Sequence, residues 1–141
     1  MLKAKALYLL SRREYSRREL HLKLRQKGFP AQAIDNLLNE LEQENLLNDD
    51  RFISSLIRMR RNRGAGPLKV LAECQKHGFS RRQIQSNEEW QEELWHAIAR
   101  SARIKRFGTA IPLEAQEIAR QTRFLQQRGF TSEQIRAAFA E

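Results

Sequence analysis

The chain has 141 residues, 40% of them hydrophobic and 30% charged, which fits one ordinary domain or a short array of small units. Only six Gly and three Pro are present, which argues against a β-sandwich, a β-barrel or a low-complexity linker. The formal net charge of +9 favours a polyanionic partner, nucleic acid or a protein bound to nucleic acid, over a membrane surface.

Helix start and stop signals predict nine helices along the chain. Residues 16–19 (SRRE) form a capping box, and Gly66-Pro67 and Ile111-Pro112 each open a further helix. The segment 87–94 is compatible with a break or with continued helix. The predicted helices cover about residues 2–12, 16–27, 30–45, 49–63, 67–77, 80–91, 94–108, 112–128 and 131–140. The eighth contains an apolar stripe at helical spacing, formed by Ala115, Ile118, Ala119, Thr122 and Leu125.

A Gly-Phe pair recurs at nearly constant spacing, and Gly28, Gly78 and Gly129 lie 50 and 51 residues apart. Three copies at one period are typical of a repeat protein. We expect each Gly to end a helix in the left-handed conformation, with the following Phe packing back onto that helix. Two turns continue into predicted capping boxes, formed by Ser80 with Gln83 and by Thr131 with Gln134.

This period predicts an all-α protein of three tandem three-helix units, similar to helix-turn-helix repeats. The predicted units are residues 1–47, 48–92 and 93–141. Because a unit of about 45 residues buries little core alone, we expect neighbouring units to pack together in an elongated, curved array. Trp90 and Trp95 are expected to anchor the packing between units rather than to stack on bases.

No catalytic or metal-binding pattern is visible in the sequence. His21, His77 and His96 are far apart, and the acidic residues of segment 88–93 are predicted to form a solvated face. Residues 64–67 (GAGP) lack the lysine and spacing of a phosphate-binding loop. We therefore predict a protein that is not an enzyme and that needs no cofactor or metal.

Cys74 is the one cysteine, so no intramolecular disulfide forms, and its apolar slot predicts a buried side chain. The N-terminus lacks the apolar core of a signal peptide, and no run approaches the roughly 18 apolar residues of a membrane span. We expect a cytoplasmic protein.

Clustered Lys and Arg side chains are the candidate binding residues. The first cluster flanks the first turn between helices, where solvated charge is an equally good interpretation. The second exceeds what a helix C-terminus requires, since four arginines fall within six residues. The clusters are Arg12, Arg13, Arg17 and Arg18; Arg58, Arg60, Arg61, Arg63 and Lys69; and Arg103, Lys105 and Arg106.

Several segments together resemble the RecX family. LLSRREYSRREL (residues 9–20) with KGF (27–29) is similar to the opening of its first repeat, and LLNDDRF (46–52) to the entry of its second. GAGP (64–67) resembles the family's GYGP turn. KRFG (105–108) and RFLQQRGF (123–130) resemble marks of its third repeat. The resemblance covers roughly residues 4–140, and the order and spacing of the segments make it specific.

The resemblance implies three tandem three-helix repeats and a regulator of the recombinase RecA. It implies binding in the groove of the RecA–DNA filament, with inhibition of strand exchange, ATP hydrolysis and co-protease action. We expect a monomer that binds single- and double-stranded DNA weakly and without sequence specificity, and the three basic clusters are the expected contacts with RecA or DNA. Ala65 stands where the family has an aromatic residue, and Cys74 where it has Leu. Lys69 lies in a segment with less positive charge than the family's.

A second interpretation is a helix-turn-helix transcriptional regulator that binds DNA independently of RecA. It predicts sequence-specific binding to a duplex site. A RecX-like protein should instead bind DNA weakly, with no sequence preference and with a steep dependence on salt.

Overall fold

A computed structural model describes residues 1–140, and this range contains nine α-helices and no β-strand. The predicted all-α class is therefore confirmed. None of the helices in this range is long and apolar enough to cross a bilayer. The helices are α1 (Leu2–Arg12), α2 (Arg17–Gln26), α3 (Ala31–Gln43), α4 (Asp49–Asn62), α5 (Pro67–Lys76), α6 (Arg81–Gln85), α7 (Leu94–Phe107), α8 (Ala115–Gln127) and α9 (Ser132–Ala138).

The Gly-Phe pairs end α2, α5 and α8 as predicted. Gly28, Gly78 and Gly129 have φ angles of +94°, +91° and +97°, which L side chains rarely adopt. At each turn the Phe N–H donates to the carbonyl five residues earlier, on Leu24, Cys74 and Leu125, at 3.3, 3.4 and 3.2 Å. These bonds satisfy helix carbonyls that would otherwise lack a donor, so the chain reverses without a polar cost.

Two of the three predicted capping boxes are complete. Those of Ser80 and Thr131 form in both directions, with Gln83 and Gln134. The Ser16 box is half formed: Ser16 Oγ accepts from the Glu19 N–H at 3.1 Å, but the Glu19 carboxylate binds the Arg13 guanidinium at 2.9 and 3.0 Å. A charged partner has replaced the weaker return bond to the backbone.

The predicted sixth helix, 80–91, is wrong in length, because α6 ends at Gln85. Asn87 is buried just beyond it and binds α4. Its amide nitrogen donates to Asp50 O and Oδ1 at 2.9 and 2.8 Å, and its Oδ1 accepts from Ser54 Oγ at 3.1 Å and from the Glu89 N–H at 2.9 Å. Side-chain bonds of this kind compete with continued helix.

The apolar stripe predicted on α8 is only partly buried. The helix begins at Ala115 rather than near residue 112, and Leu125 is fully buried. Ala115 and Ala119 are exposed, and Ile118 is 38% exposed. The reason is geometric: the third core packs against the C-terminal half of α8, and its first turns extend past that core.

Within the described residues the buried side chains form three hydrophobic cores. The first joins α1, α2 and α3, the second joins α4, α5 and α6, and the third joins α7, α8 and α9. Trp95 lies on α7 but packs into the second core, with its ring 5.1 Å from that of Trp90. The predicted packing role of both tryptophans is thereby confirmed. The boundaries 1–47, 48–92 and 93–141 remain a prediction, and Glu141 lies outside the described residues.

The middle helices α8 and α5 meet end to end. The Gly66 and Leu68 N–H groups at the start of α5 donate to Arg128 O and Gly129 O, at the turn after α8, at 2.7 and 2.9 Å. At the turn after α5 the contact is through a side chain, since the Arg18 side chain from the start of α2 lies against Gly78. A Cβ on Gly66 would stand 2.5 Å from the Gly129 carbonyl carbon, so this junction depends on the absence of side chains.

Candidate functional site

A groove of about 580 Å³ lies between the C-terminal end of α4 and the adjoining faces of α7 and α8. It brings together Arg61 and Arg63 from the second predicted cluster and Lys105 and Arg106 from the third. Its full lining is Arg61, Asn62, Arg63, Gly64, Leu94, Ala97, Ile98, Ser101, Ala102, Lys105, Arg106, Phe124 and Arg128.

Helical spacing explains how α7 contributes to this groove. Leu94, Ile98, Ala102 and Lys105 follow one another at intervals of four, four and three residues, which places them on one face. The N-terminal part of this face is apolar and its last turn is basic, as the negative end of a helix dipole favours. The groove therefore has an apolar floor and a cationic end.

Several predicted cations are held by carboxylates of the protein itself. Arg60 binds Glu73 through two hydrogen bonds of 2.7 and 2.8 Å. Arg61 and Arg58 both bind Glu89, at 2.8 and 3.3 Å, and Arg61 also donates to the Glu89 carbonyl oxygen at 2.9 Å. The hydrogen bond from Arg61 holds the Glu89 pKa below its ordinary value, with a smaller contribution from the Arg58 bond, although desolvation of the carboxylate acts in the opposite direction. Much of the charge of these three arginines is thus compensated within the fold.

The remaining cations around the groove carry no ion pair to any residue in the range 1–140. Arg63, Lys105 and Arg106 are exposed, as is Lys69 nearby. Together with Lys69, Arg60, Arg63 and Ala65 line a smaller cavity of about 230 Å³ beside the groove. Ala65 itself is buried, so its small side chain leaves this cavity open.

Arg103 is not a surface contact, and its prediction as a binding residue is wrong. Its side chain is 0% exposed, and its Nε donates to Ala138 O at 2.8 Å. Nη1 donates to Ala110 O at 3.3 Å and lies 3.5 Å from Gln121 Oε1. Burial, with a smaller contribution from Arg100, lowers its pKa. The residue ties α7 to α9 and to the segment before α8, which holds Lys105 and Arg106 in place.

Arg128 and Phe124 are site residues that the sequence did not reveal. Arg128 lines both cavities, its guanidinium lies 4.9 Å from the Phe124 ring centroid, and its Nη1 donates to Arg63 O at 2.9 Å. Arg106 lies over the same ring at 5.6 Å, and Phe107 meets it edge-on at 5.3 Å. Arg128 belongs to a Gly-Phe turn, and its place at the end of a helix gave no indication in the sequence that it also lines the two cavities.

The first cluster lies apart from the groove. Arg17 and Arg18 line a separate depression of about 570 Å³ with His21, Leu22 and Asp49. Arg17 binds Glu42 at 2.6 Å. The two remaining members bind groups of their own unit, Arg13 through Glu19 and the Tyr15 ring, and Arg12 through the Tyr8 hydroxyl.

No group of three or more His, Cys, Asp and Glu side chains within residues 1–140 is placed to hold a metal ion. Cys74 is buried as predicted, and burial, with a smaller effect of Glu73, raises its pKa to about 11. The groove instead offers hydrogen-bond donors, positive charge and apolar contact area, which suit the binding of an anionic partner.

The chain is similar to proteins of one family. The family model described as the first three-helix domain of RecX matches residues 3–41, and that of the third matches residues 92–139. The protein named regulatory protein RecX in Halorhodospira halophila is 42% identical over 135 residues, which cover 96% of this chain and 84% of that protein. The protein of that name in Legionella pneumophila is 39% identical over 136 residues, covering 96% and 91%.

Solved structures share the fold. The crystal structure of RecX from Lactobacillus salivarius superposes with a TM-score of 0.82 at 20% identity, covering 97% of this chain and 91% of that one. A second crystal structure, of a protein named regulatory protein RecX, gives a TM-score of 0.74 at 19% identity and covers 96% of this chain and 70% of that one.

Proposed function

Because the chain belongs to the RecX family, we propose that it binds the RecA–DNA filament and inhibits the recombinase, ATPase and co-protease activities of RecA. Such a regulator acts in DNA repair and the SOS response. It works as a cytoplasmic monomer, without enzymatic activity of its own. The observation that supports this most directly is the groove, which brings Arg63, directly after α4, together with Lys105 and Arg106 of α7, none of which has an ion pair within residues 1–140. A filament presents many copies of the same contact, so several weak ionic contacts suffice for binding.

The proposed contacts are the predicted cations without Arg103. Arg63, Lys69, Lys105 and Arg106 are the strongest members, because they are exposed and have no internal ion pair among the described residues. Arg58, Arg60 and Arg61 contribute less, since a partner must compete with Glu73 and Glu89 for them. Arg12, Arg13, Arg17 and Arg18 form a second contact surface at the first unit.

The test is the ATPase activity of RecA on single-stranded DNA, titrated with this protein. We expect inhibition at low ratios of this protein to RecA. Changing Arg63, Lys105 and Arg106 together to Glu should weaken it by at least about tenfold, if each lost contact is worth ~0.5–1 kcal/mol. A variant with Lys23, Lys76 and Arg136 changed to Glu is the control, because these side chains are also exposed and the net charge changes equally.

Two outcomes would contradict the proposal. Equal weakening by both triple variants would show that net charge, and not this groove, determines the effect. The absence of inhibition at every ratio, with binding to a specific duplex sequence, would favour the helix-turn-helix regulator. Any direct DNA binding should be weak, should lack sequence preference and should decrease steeply with salt.

A further inference from the structure

The floor of the groove is more apolar than binding to phosphates requires. Leu94 is 37% exposed there, and Ile98 and Phe124 are only partly buried. Ala97 and Ser101 between them are small and exposed, so a partner can approach the α7 backbone closely. A nucleic acid backbone would gain little from this floor, whereas an apolar side chain would gain transfer free energy in proportion to the area that the floor removes from water.

The aromatic ring in the floor is poorly placed for a base. Arg106 and Arg128 already lie over the Phe124 ring, and the edge of Phe107 packs against it. A base could stack on Phe124 only after displacing a guanidinium group. The same two guanidinium groups remain able to bind a carboxylate beside an apolar side chain, because each has several N–H donors.

The charge around the floor selects the chemistry of the partner. Arg63, Lys105, Arg106 and Arg128 surround it, and none has an ion pair within residues 1–140. From Leu94 to Lys105 the α7 face spans about 16 Å, or three helical turns. This length and this pattern suit a partner helix with apolar residues spaced by four and with carboxylates at its edges.

We infer that this groove binds an acidic amphipathic protein segment, whose apolar side chains lie on the α7 floor and whose carboxylates meet the four rim cations. The inference rests on the proposed function in one respect, since it takes the segment to belong to the protein that is regulated. It assigns the groove between α4 and α7 to protein contact and leaves DNA phosphates to the cations outside it.

The test uses fluorescence anisotropy with three labelled probes. The first is a synthetic Glu-rich helical peptide of about 12 residues with two leucines four positions apart. The second replaces both leucines by serine, and the third is an oligothymidylate of the same charge. Because burying one leucine changes an affinity by about ten- to hundredfold, the leucine peptide should bind at least about tenfold more tightly than the serine peptide.

Ala97→Glu places a carboxylate in the floor and should weaken the leucine peptide by at least about tenfold. Ala119→Glu is the matched control, because Ala119 is an exposed alanine on α8 outside the groove and the charge change is the same. It should change the affinity less than about twofold. Should Ala97→Glu disturb folding, Ser101→Glu makes the same test at a neighbouring exposed position.

Equal binding of the two peptides, or tighter binding of the oligothymidylate with the same loss in Ala97→Glu, would overturn the inference in favour of a polyanion site. Failure of both peptides to bind while RecA inhibition persists would refute the inference and leave the proposed function intact. Binding of the leucine peptide without any effect on RecA would support the inference about the groove and refute the proposed function.

Discussion

The buried guanidinium of Arg103 allows a sharp test, because Arg106, one turn further along α7, is exposed. We predict that Arg103→Met destabilises the protein strongly and that Arg106→Met does not. Methionine keeps an unbranched apolar chain of similar length, so the two variants differ mainly in what the guanidinium contacts. The comparison separates a fold-stabilising arginine from a partner-binding one.

The magnitude follows from the contacts of the side chain. Arg103 donates to Ala138 O at 2.8 Å and to Ala110 O at 3.3 Å, and both acceptors would lose this donor. Two hydrogen bonds from a charged donor are worth about 3–6 kcal/mol, and relief of the desolvation of the guanidinium offsets part of that loss. We expect a net decrease of about 2–4 kcal/mol in the free energy of unfolding, against less than about 0.5 kcal/mol for Arg106→Met.

Urea unfolding followed by far-ultraviolet circular dichroism measures this difference. With an m value of about 2 kcal/mol/M, the Arg103→Met midpoint should fall by about 1–2 M while the slope stays constant. The RecA ATPase assay should respond in the opposite order, with Arg106→Met weakening inhibition under conditions where both variants are folded. An unchanged midpoint for Arg103→Met combined with lost inhibition would refute the reasoning and restore Arg103 as a contact residue.

Three further predictions concern the turns, an ion pair and the thiol. Gly129→Ala should cost about 2–4 kcal/mol, because its Cβ would stand 2.6 Å from the Lys69 Cβ, whereas Gly28→Ala, which meets nothing within 4 Å, should cost about 1–2 kcal/mol from its φ angle alone. Equal urea midpoints for the two variants would contradict the close packing of Gly129 against Lys69. The Arg61 bond lowers the pKa of Glu89, so its contribution to stability is present above the unfolded pKa of about 4.3 and lost as pH falls through the folded pKa. Glu89→Gln should therefore be less stable than the wild type at pH 7, and the two midpoints should converge in acid; a constant gap would exclude this linkage. Cys74 has a pKa of about 11 and is buried, so a thiol reagent at pH 8 should modify it only as fast as the protein unfolds, and rapid labelling of the native state would contradict its burial.

The sequence predicts the helices well because their signals are local. Gly78 with Ser80 and Gln83, for example, specifies a helix end and the next start within six residues, and the structure has both. The end of α6 was predicted wrongly because it depends on Asn87 binding Asp50, a residue 37 positions away. Local patterns contain no information about such a contact.

The site is less predictable than the fold, because a basic residue has the same appearance in sequence whether it is buried, paired or exposed. Arg103, Arg61 and Lys105 have similar sequence surroundings and three different fates: full burial, an ion pair with Glu89 and exposure in the groove. The packing of α7 against α9 buries Arg103, whereas Arg61 on α4 is paired because the segment after α6 places Glu89 beside it. Clusters of basic residues in the sequence therefore locate a binding surface to within a few helical turns, but they do not show which of the side chains make contact.

The three Gly-Phe turns show why a repeated sequence does not imply a repeated role. Each turn has the same backbone, but Gly78 lies against the Arg18 side chain, Gly129 meets the backbone of α5, and a Cβ on Gly28 would meet nothing within 4 Å. At the Gly129 junction the C-terminal turn of α8 thus faces the N-terminal end of α5, an arrangement in which the helix dipoles are aligned favourably. The groove of the candidate site lies beside the Gly129 junction, where two backbone hydrogen bonds fix the separation of α5 and α8. The Gly-Phe turn that ends α8 therefore also sets the geometry of the binding surface. It does so because α5 packs against this turn.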